Sequence, residues 1–142
     1  MKKKILISIP AYNEANNIRP LYKKLNETLE EKRDEVDFEI LFINDGSKDN
    51  TVSEVLSLIE QTDNVSLIDL SRNYGKEIAM SAGFDYSTHD AVITMDADLQ
   101  HPPATIIDMI DLWQQGYEDV YAKRNQRKGE SWFKKTSSKW FY

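Results

Sequence analysis

At 142 residues the chain is one domain by length and can bury a substantial core. Its composition, 40% hydrophobic and 30% charged, is that of an ordinary globular protein, and the lack of cysteine excludes disulfides and thiolate metal sites. The net charge of −6 hides a split: residues 1–122 hold 11 Lys/Arg against 23 Asp/Glu, whereas residues 123–142 hold 7 against 1. The acidic body argues against nucleic acid as a partner, and no apolar run approaches the roughly 20 residues that span a bilayer.

The start, Met1-Lys2-Lys3-Lys4, has the charge of a signal n-region, but Ile5 to Ile9 is too short for an h-region and runs into Pro10. Lys4–Ile9 is therefore expected as a first strand. Ile18, Leu21, Leu25 and Leu29 follow at helical spacing, with Asn16 or Asn17 as cap and Pro20 in the first turn. Phe38–Asn44 is nearly continuous in apolar residues, as in a sheet covered on both faces. Thr51-Val52-Ser53-Glu54 has the form of a capping box opening a second helix. A strand Val65–Leu70, a helix from about Lys76 to Tyr86 and a strand Ala91–Met95 come next. A fourth helix opens at Pro102-Pro103 and ends at Gly116, before a short strand Asp119–Ala122. Such alternation predicts an α/β fold, a mostly parallel doubly wound sheet with helices on both faces. The basic segment 123–142 also carries Trp132, Phe133, Trp140, Phe141 and Tyr142. It suits an anionic membrane interface or a phosphate-bearing ligand, or else a helix packing its aromatics on the core.

In a sheet of this kind the functional loops follow the strands. Asp96-Ala97-Asp98, with Gln100 two residues on, emerges where the fourth strand ends. On extended backbone, residues 96 and 98 share one side and reach one cation. Hard divalent ions take oxygen ligands and bridge carboxylates to substrate phosphates. The other three loops are Pro10-Ala11-Tyr12-Asn13-Glu14, Asn44-Asp45-Gly46-Ser47-Lys48-Asp49 and Ser71-Arg72-Asn73-Tyr74-Gly75-Lys76-Glu77. Singly, each has a structural explanation: Tyr12 as packing, Asn13 and Asn44 as turn formers, Asp45-Gly46 as a turn pair. Together they supply an aromatic face, carboxylates, cations and a metal site, the parts of a nucleotide-diphosphate pocket.

The segments Ile9–Glu14, Ile43–Thr51 and Met95–Gln100 resemble the three signatures of family 2 glycosyltransferases of GT-A fold. Ser71–Glu77 and the stretch Arg124 to Tyr142 narrow the resemblance to polyprenyl-phosphate glycosyltransferases, namely bactoprenol glucosyltransferases and their dolichol-phosphate mannose synthase relatives. It covers essentially the whole chain. The resemblance implies that Pro10, Tyr12, Glu14 and Asp45 hold the nucleoside, with backbone help from Ile43. It implies Asp96, Asp98 and Gln100 as ligands of Mg²⁺ or Mn²⁺, and Ala97 as a lining residue. Arg124 matches an arginine near the phosphates, and Lys76 and Arg72 would add charge there, although an ion pair within their own loop explains both equally.

The implied reaction is inverting transfer of a hexose from a nucleotide-sugar donor, UDP-glucose or UDP-N-acetylglucosamine, to a polyprenyl-phosphate acceptor. Asp96, Asp98 and Arg124 would be its catalytic residues, and the enzyme would work at the cytoplasmic face of the membrane, as a monomer or a homo-oligomer. On this reading residues 1–122 are the donor-binding core and 123–142 lead toward an acceptor portion outside the chain. The family's Thr-Gly-(Asp/Ser)-Phe-Arg-like motif is missing, so the chain reads as the N-terminal portion of a longer protein. A donor-binding fragment without transferase activity and a GDP-mannose-using enzyme are the alternatives. No residue stands out as general base. His89 falls at the far edge of the sheet and reads as a surface residue, and His101 is near enough to the metal loop to touch the donor but suits helix entry before Pro102 at least as well. A phospho-receiver is disfavoured because Leu70 is followed by Ser71-Arg72, where that class needs an acid.

Overall fold

A computed structural model describes residues 2–98, 102, 104–124 and 131–136. The chain divides into two compact units, residues 1–101 and 102–142.

The first unit is a four-stranded, all-parallel sheet in the order β3-β2-β1-β4, built from β1 (Lys3–Ala11), β2 (Val36–Asn44), β3 (Val65–Asp69) and β4 (Ala91–Thr94). The helices between them are α1 (Ala15–Leu29), α2 (Thr51–Gln61) and α3 (Lys76–Tyr86). Period-2 geometry sends alternate residues of β1 to opposite faces, and Ile5, Leu6, Ile7 and Ile9 are all buried, so both faces are covered. One face joins Leu6, Leu41 and Ile43 to Ala79 of α3. There α3 comes so close that a Cβ on Gly83 would lie 2.2 Å from Ser8 Oγ. The Ser8 hydroxyl is buried and, among the described residues, has no hydrogen-bond partner.

Two helix starts differ from the sequence expectation. α1 begins at Ala15, without a side-chain cap from Asn16 or Asn17, which puts Pro20 beyond the first turn. The carbonyl that Pro20 leaves unpaired belongs to exposed Asn16, so water can satisfy it. In α2 the expected capping box does not form. Thr51 lies inside the helix, and its N–H donates to Asp49 Oδ1 at 2.9 Å. Its hydroxyl instead bonds Asp49 and accepts from the N–H of Glu14 at 3.0 Å, so a longer-range bond takes the group the box needed.

The second unit contains α4 (Ala104–Gln114), β5 (Asp119–Arg124) and β6 (Ser131–Thr136). α4 packs on β5, which pairs antiparallel with β6 in register from Asp119↔Thr136 to Arg124↔Ser131. Part of the basic-aromatic segment is thus a strand and not a helix. Ser-Trp-Phe-Lys-Lys-Thr lacks clean period-2 alternation, and backbone pairing with β5 overrides that weak local signal.

Candidate functional site

β1 is central, and the chain leaves it toward β2 and β3 on one side before returning to β4 on the other. The loops after β1 and β4 therefore diverge at a topological switch point, where open α/β sheets hold ligands. A cavity of about 260 Å³ opens there, lined by Pro10, Ala11, Tyr12, Glu14, Asp45, Lys76, Asp96, Ala97 and Asp98. Six of these, Pro10, Tyr12, Glu14, Asp45, Lys76 and Ala97, were singled out from sequence as substrate-binding, and Asp96 and Asp98 as metal ligands. Ala11, which ends β1, was not singled out, although it stands inside the loop Pro10-Ala11-Tyr12-Asn13-Glu14. Ile43 is fully buried in β2 and is not among the lining residues. Gln100 and His101 lie outside the described residues, and Arg124 ends β5 in the second unit.

Hydrogen bonds sew three of the loops into one frame. The N–H of Asn13, a residue at φ 53°, donates to Ser47 Oγ at 2.8 Å, and Asn13 Oδ1 accepts from the N–H of Lys48 at 2.7 Å. Ala15 N–H reaches Asp49 Oδ2 at 3.2 Å. Asn44, buried at the end of β2, accepts from Ser47 N–H and donates to Asp69. Asn13 and Asn44 are thus structural, as their turn-forming character suggested. Buried Asp45 accepts from the N–H of Tyr74 at 2.7 Å and of Gly75 at 3.1 Å. It lines the cavity and also fixes the 71–76 loop. Gly46 beside it has φ +71°, and a Cβ there would fall 2.2 Å from the backbone nitrogen of Asn73. Only glycine lets the two loops approach so closely.

The charges are arranged on this frame. The Lys76 ammonium pairs with the Asp96 carboxylate, and their side chains are 58% and 34% exposed. Its partner is in a different loop, not its own as the sequence allowed. Arg72 instead lies over the Tyr74 ring, 4.7 Å from its centroid. The backbone is already in a turn at Ala97 and Asp98, so these acids converge through that turn and not through a continued strand. Burial, and then the negative charge of Asp98, push the Glu14 carboxyl above its ordinary value, with Asp49 and Asp96 adding to the rise and Asn17 opposing it. Like charges gathered in this way fit a divalent cation. Among the described residues no cluster of three or more metal-ligating side chains exists. The donor set fits an ion held by one or two carboxylates together with substrate phosphates, and not an all-protein cage.

The far edge of the sheet carries a different cluster. Glu39 accepts from Ser66 Oγ and Tyr86 OH, both at 2.6 Å, and pairs with His89 Nε2 at 2.8 Å. Burial raises the Glu39 carboxyl, but these hydrogen bonds outweigh it and hold the group below its ordinary value. The His89 side chain is only 10% exposed, so it is an interior partner and not the surface residue expected.

Comparison with solved structures identifies the fold. A mannosyltransferase from Pyrobaculum calidifontis, solved with GDP-Man and Mn²⁺, superposes with a TM-score of 0.73 at 20% identity, covering 90% of this chain and 37% of that one. TarS of S. aureus, solved with UDP-GlcNAc, superposes with a TM-score of 0.66 at 21% identity, covering 92% and 37%. The fold is the GT-A fold of glycosyltransferases. The chain belongs to glycosyl transferase family 2, whose model matches residues 6–142. It is 44% identical over 142 residues to an uncharacterised glycosyltransferase of Synechocystis, covering all of this chain and 44% of that protein. It is 43% identical over 139 residues to the bactoprenol glucosyl transferase of Shigella phage SfX, covering 98% of this chain and 45% of that protein. The chain thus spans somewhat under half the length of these curated relatives.

Proposed function

We propose that the chain is the donor-binding portion of an inverting hexosyltransferase that moves glucose or N-acetylglucosamine from its UDP carrier to a polyprenyl phosphate. The observation that carries this reading is the cavity at the switch point, where Tyr12, Glu14, Asp45, Lys76, Asp96 and Asp98 meet. Kinship with bactoprenol glucosyl transferases supports the acceptor class.

On this reading Tyr12, 45% exposed, offers its ring to the base, and Pro10, Glu14 and Asp45 border the nucleoside. Asp96 and Asp98, with Gln100, would hold Mg²⁺ or Mn²⁺. The bound ion would supply Lewis-acid neutralisation of the charge developing on the diphosphate. Lys76 adds positive potential at the same end of the cavity, and Arg124 is assigned to the phosphates by family resemblance. The acceptor needs little help from a base, because a phosphate monoester has its second pKa near about 6 and is largely ionised at neutral pH. Among the described residues no helix is long and apolar enough to cross a membrane. The basic-aromatic segment 123–142 is assigned to the membrane surface by its composition.

Calorimetric titration with UDP-glucose, UDP-N-acetylglucosamine and GDP-mannose, each with and without Mn²⁺, tests the reading. Mn²⁺-dependent binding of a UDP-sugar is the expected result. Preference for GDP-mannose would move the chain to the mannose-synthase branch, and binding of none would overturn the donor assignment.

A further inference from the structure

The Lys76–Asp96 pair has a consequence for how the site fills. Lys76 is the first residue of α3, and its course is set from behind by Asp45, which holds the N–H groups of Tyr74 and Gly75. The ammonium is thereby delivered across the cavity to a carboxylate at the end of another strand. A divalent ion taken up by Asp96 meets a cation already at that carboxylate, and two cations sharing one partner repel. A diphosphate entering the cavity gives Lys76 a second anion to pair with.

We propose that Lys76 is a built-in counter-ion for Asp96. It disfavours metal binding alone and turns to the diphosphate when the nucleotide enters, so that metal and donor bind in concert. This rests on the donor-site reading above and adds an order to it. By linkage, whatever factor the metal contributes to donor affinity, the donor contributes to metal affinity.

The experiment titrates Mn²⁺ into the protein alone, with free Mn²⁺ followed by electron paramagnetic resonance. UDP-glucose is then titrated calorimetrically at zero and at saturating Mn²⁺. Wild type is compared with Lys76→Gln, with charge-retaining Lys76→Arg, and with Lys23→Gln, which removes an exposed charge from α1 outside the cavity lining. For a partly exposed pair the expected gain in Mn²⁺ affinity of Lys76→Gln alone is about threefold to tenfold. The coupling between Mn²⁺ and UDP-glucose should shrink by a similar factor, with Lys76→Arg and Lys23→Gln behaving as wild type. Unchanged or weaker Mn²⁺ binding in Lys76→Gln, or binding in neither protein, overturns the proposal. Tighter Mn²⁺ with undiminished coupling overturns the concerted part. Tighter Mn²⁺ with no UDP-glucose binding in any protein sustains the competition by Lys76 and overturns the nucleotide-sugar reading instead.

Discussion

The two edges of the sheet each hold a partly desolvated glutamate, and the two titrate in opposite directions. At the far edge, Ser66, Tyr86 and His89 all aim donors or positive charge at Glu39, and its carboxyl is held low. At the cavity, Glu14 faces Asp98, Asp49 and Asp96, and its carboxyl is pushed up. Burial acts alike on both; the neighbours decide the sign. A carboxylate surrounded by donors is part of the scaffold. One surrounded by its own kind is held in a place that favours a cation from outside, and such perturbed groups concentrate at functional sites.

The comparison can be broken most severely at Gly46, where the frame under the cavity depends on a left-handed residue with no side chain. Gly46→Ala should cost about 3 kcal/mol or more in urea denaturation, because both backbone strain and the contact with Asn73 oppose it. Asp96→Asn should keep the fold, checked by circular dichroism, yet lose the Mn²⁺-dependent part of donor binding by about 10²-fold or more. Unchanged donor affinity would remove Asp96 from the metal assignment.

Exchanging each glutamate for glutamine sharpens the contrast. Glu39→Gln should destabilise by about 1–2 kcal/mol at neutral pH, because a charge-assisted network loses its acceptor. Glu14→Gln should be neutral or stabilising in metal-free protein, because it relieves repulsion. The signs follow from linkage. A depressed carboxyl such as Glu39 stabilises above its unfolded-state value, about 4.5, and that contribution fades as pH falls through the lower folded value. Denaturation of Glu39→Gln across the acid range should therefore show a flatter loss of stability than wild type. The smallest effect belongs to Ser8→Ala, which should change stability by no more than about 0.5 kcal/mol, because its buried hydroxyl has no partner to lose among the described residues. A larger loss would reveal a hydrogen bond there.

Much of this was legible in the sequence, for identifiable reasons. The strands beginning at 65 and 91 and the helix Lys76–Tyr86 stood out because apolar runs alternate with polar loops, and α/β topology then places the loops after the strands at one edge. Six substrate-site residues, with Asp96 and Asp98, could be singled out for the same reason, and they line one cavity. The far-edge network escaped notice, because Glu39 and His89 are 50 residues apart and neither has a motif around it. The roles of Asn13, Asp49 and Thr51 were equally hidden, since a residue's local options do not reveal which long-range partner will claim it. The strand Ser131–Thr136 was missed because its pattern carries no clear period.

The grip of Asp45 on the 71–76 loop has a consequence for how such a protein can change over time. It holds main-chain N–H groups at Tyr74 and Gly75 and touches no side chain of that loop in doing so. These two bonds therefore survive any exchange at position 74 except proline, which has no N–H, even though the contacts of the tyrosine ring with Ser71 and Arg72 would be lost. The anchor that carries Lys76 to the cavity is thus written in main chain, and side chains of the loop can be exchanged over time without cutting it.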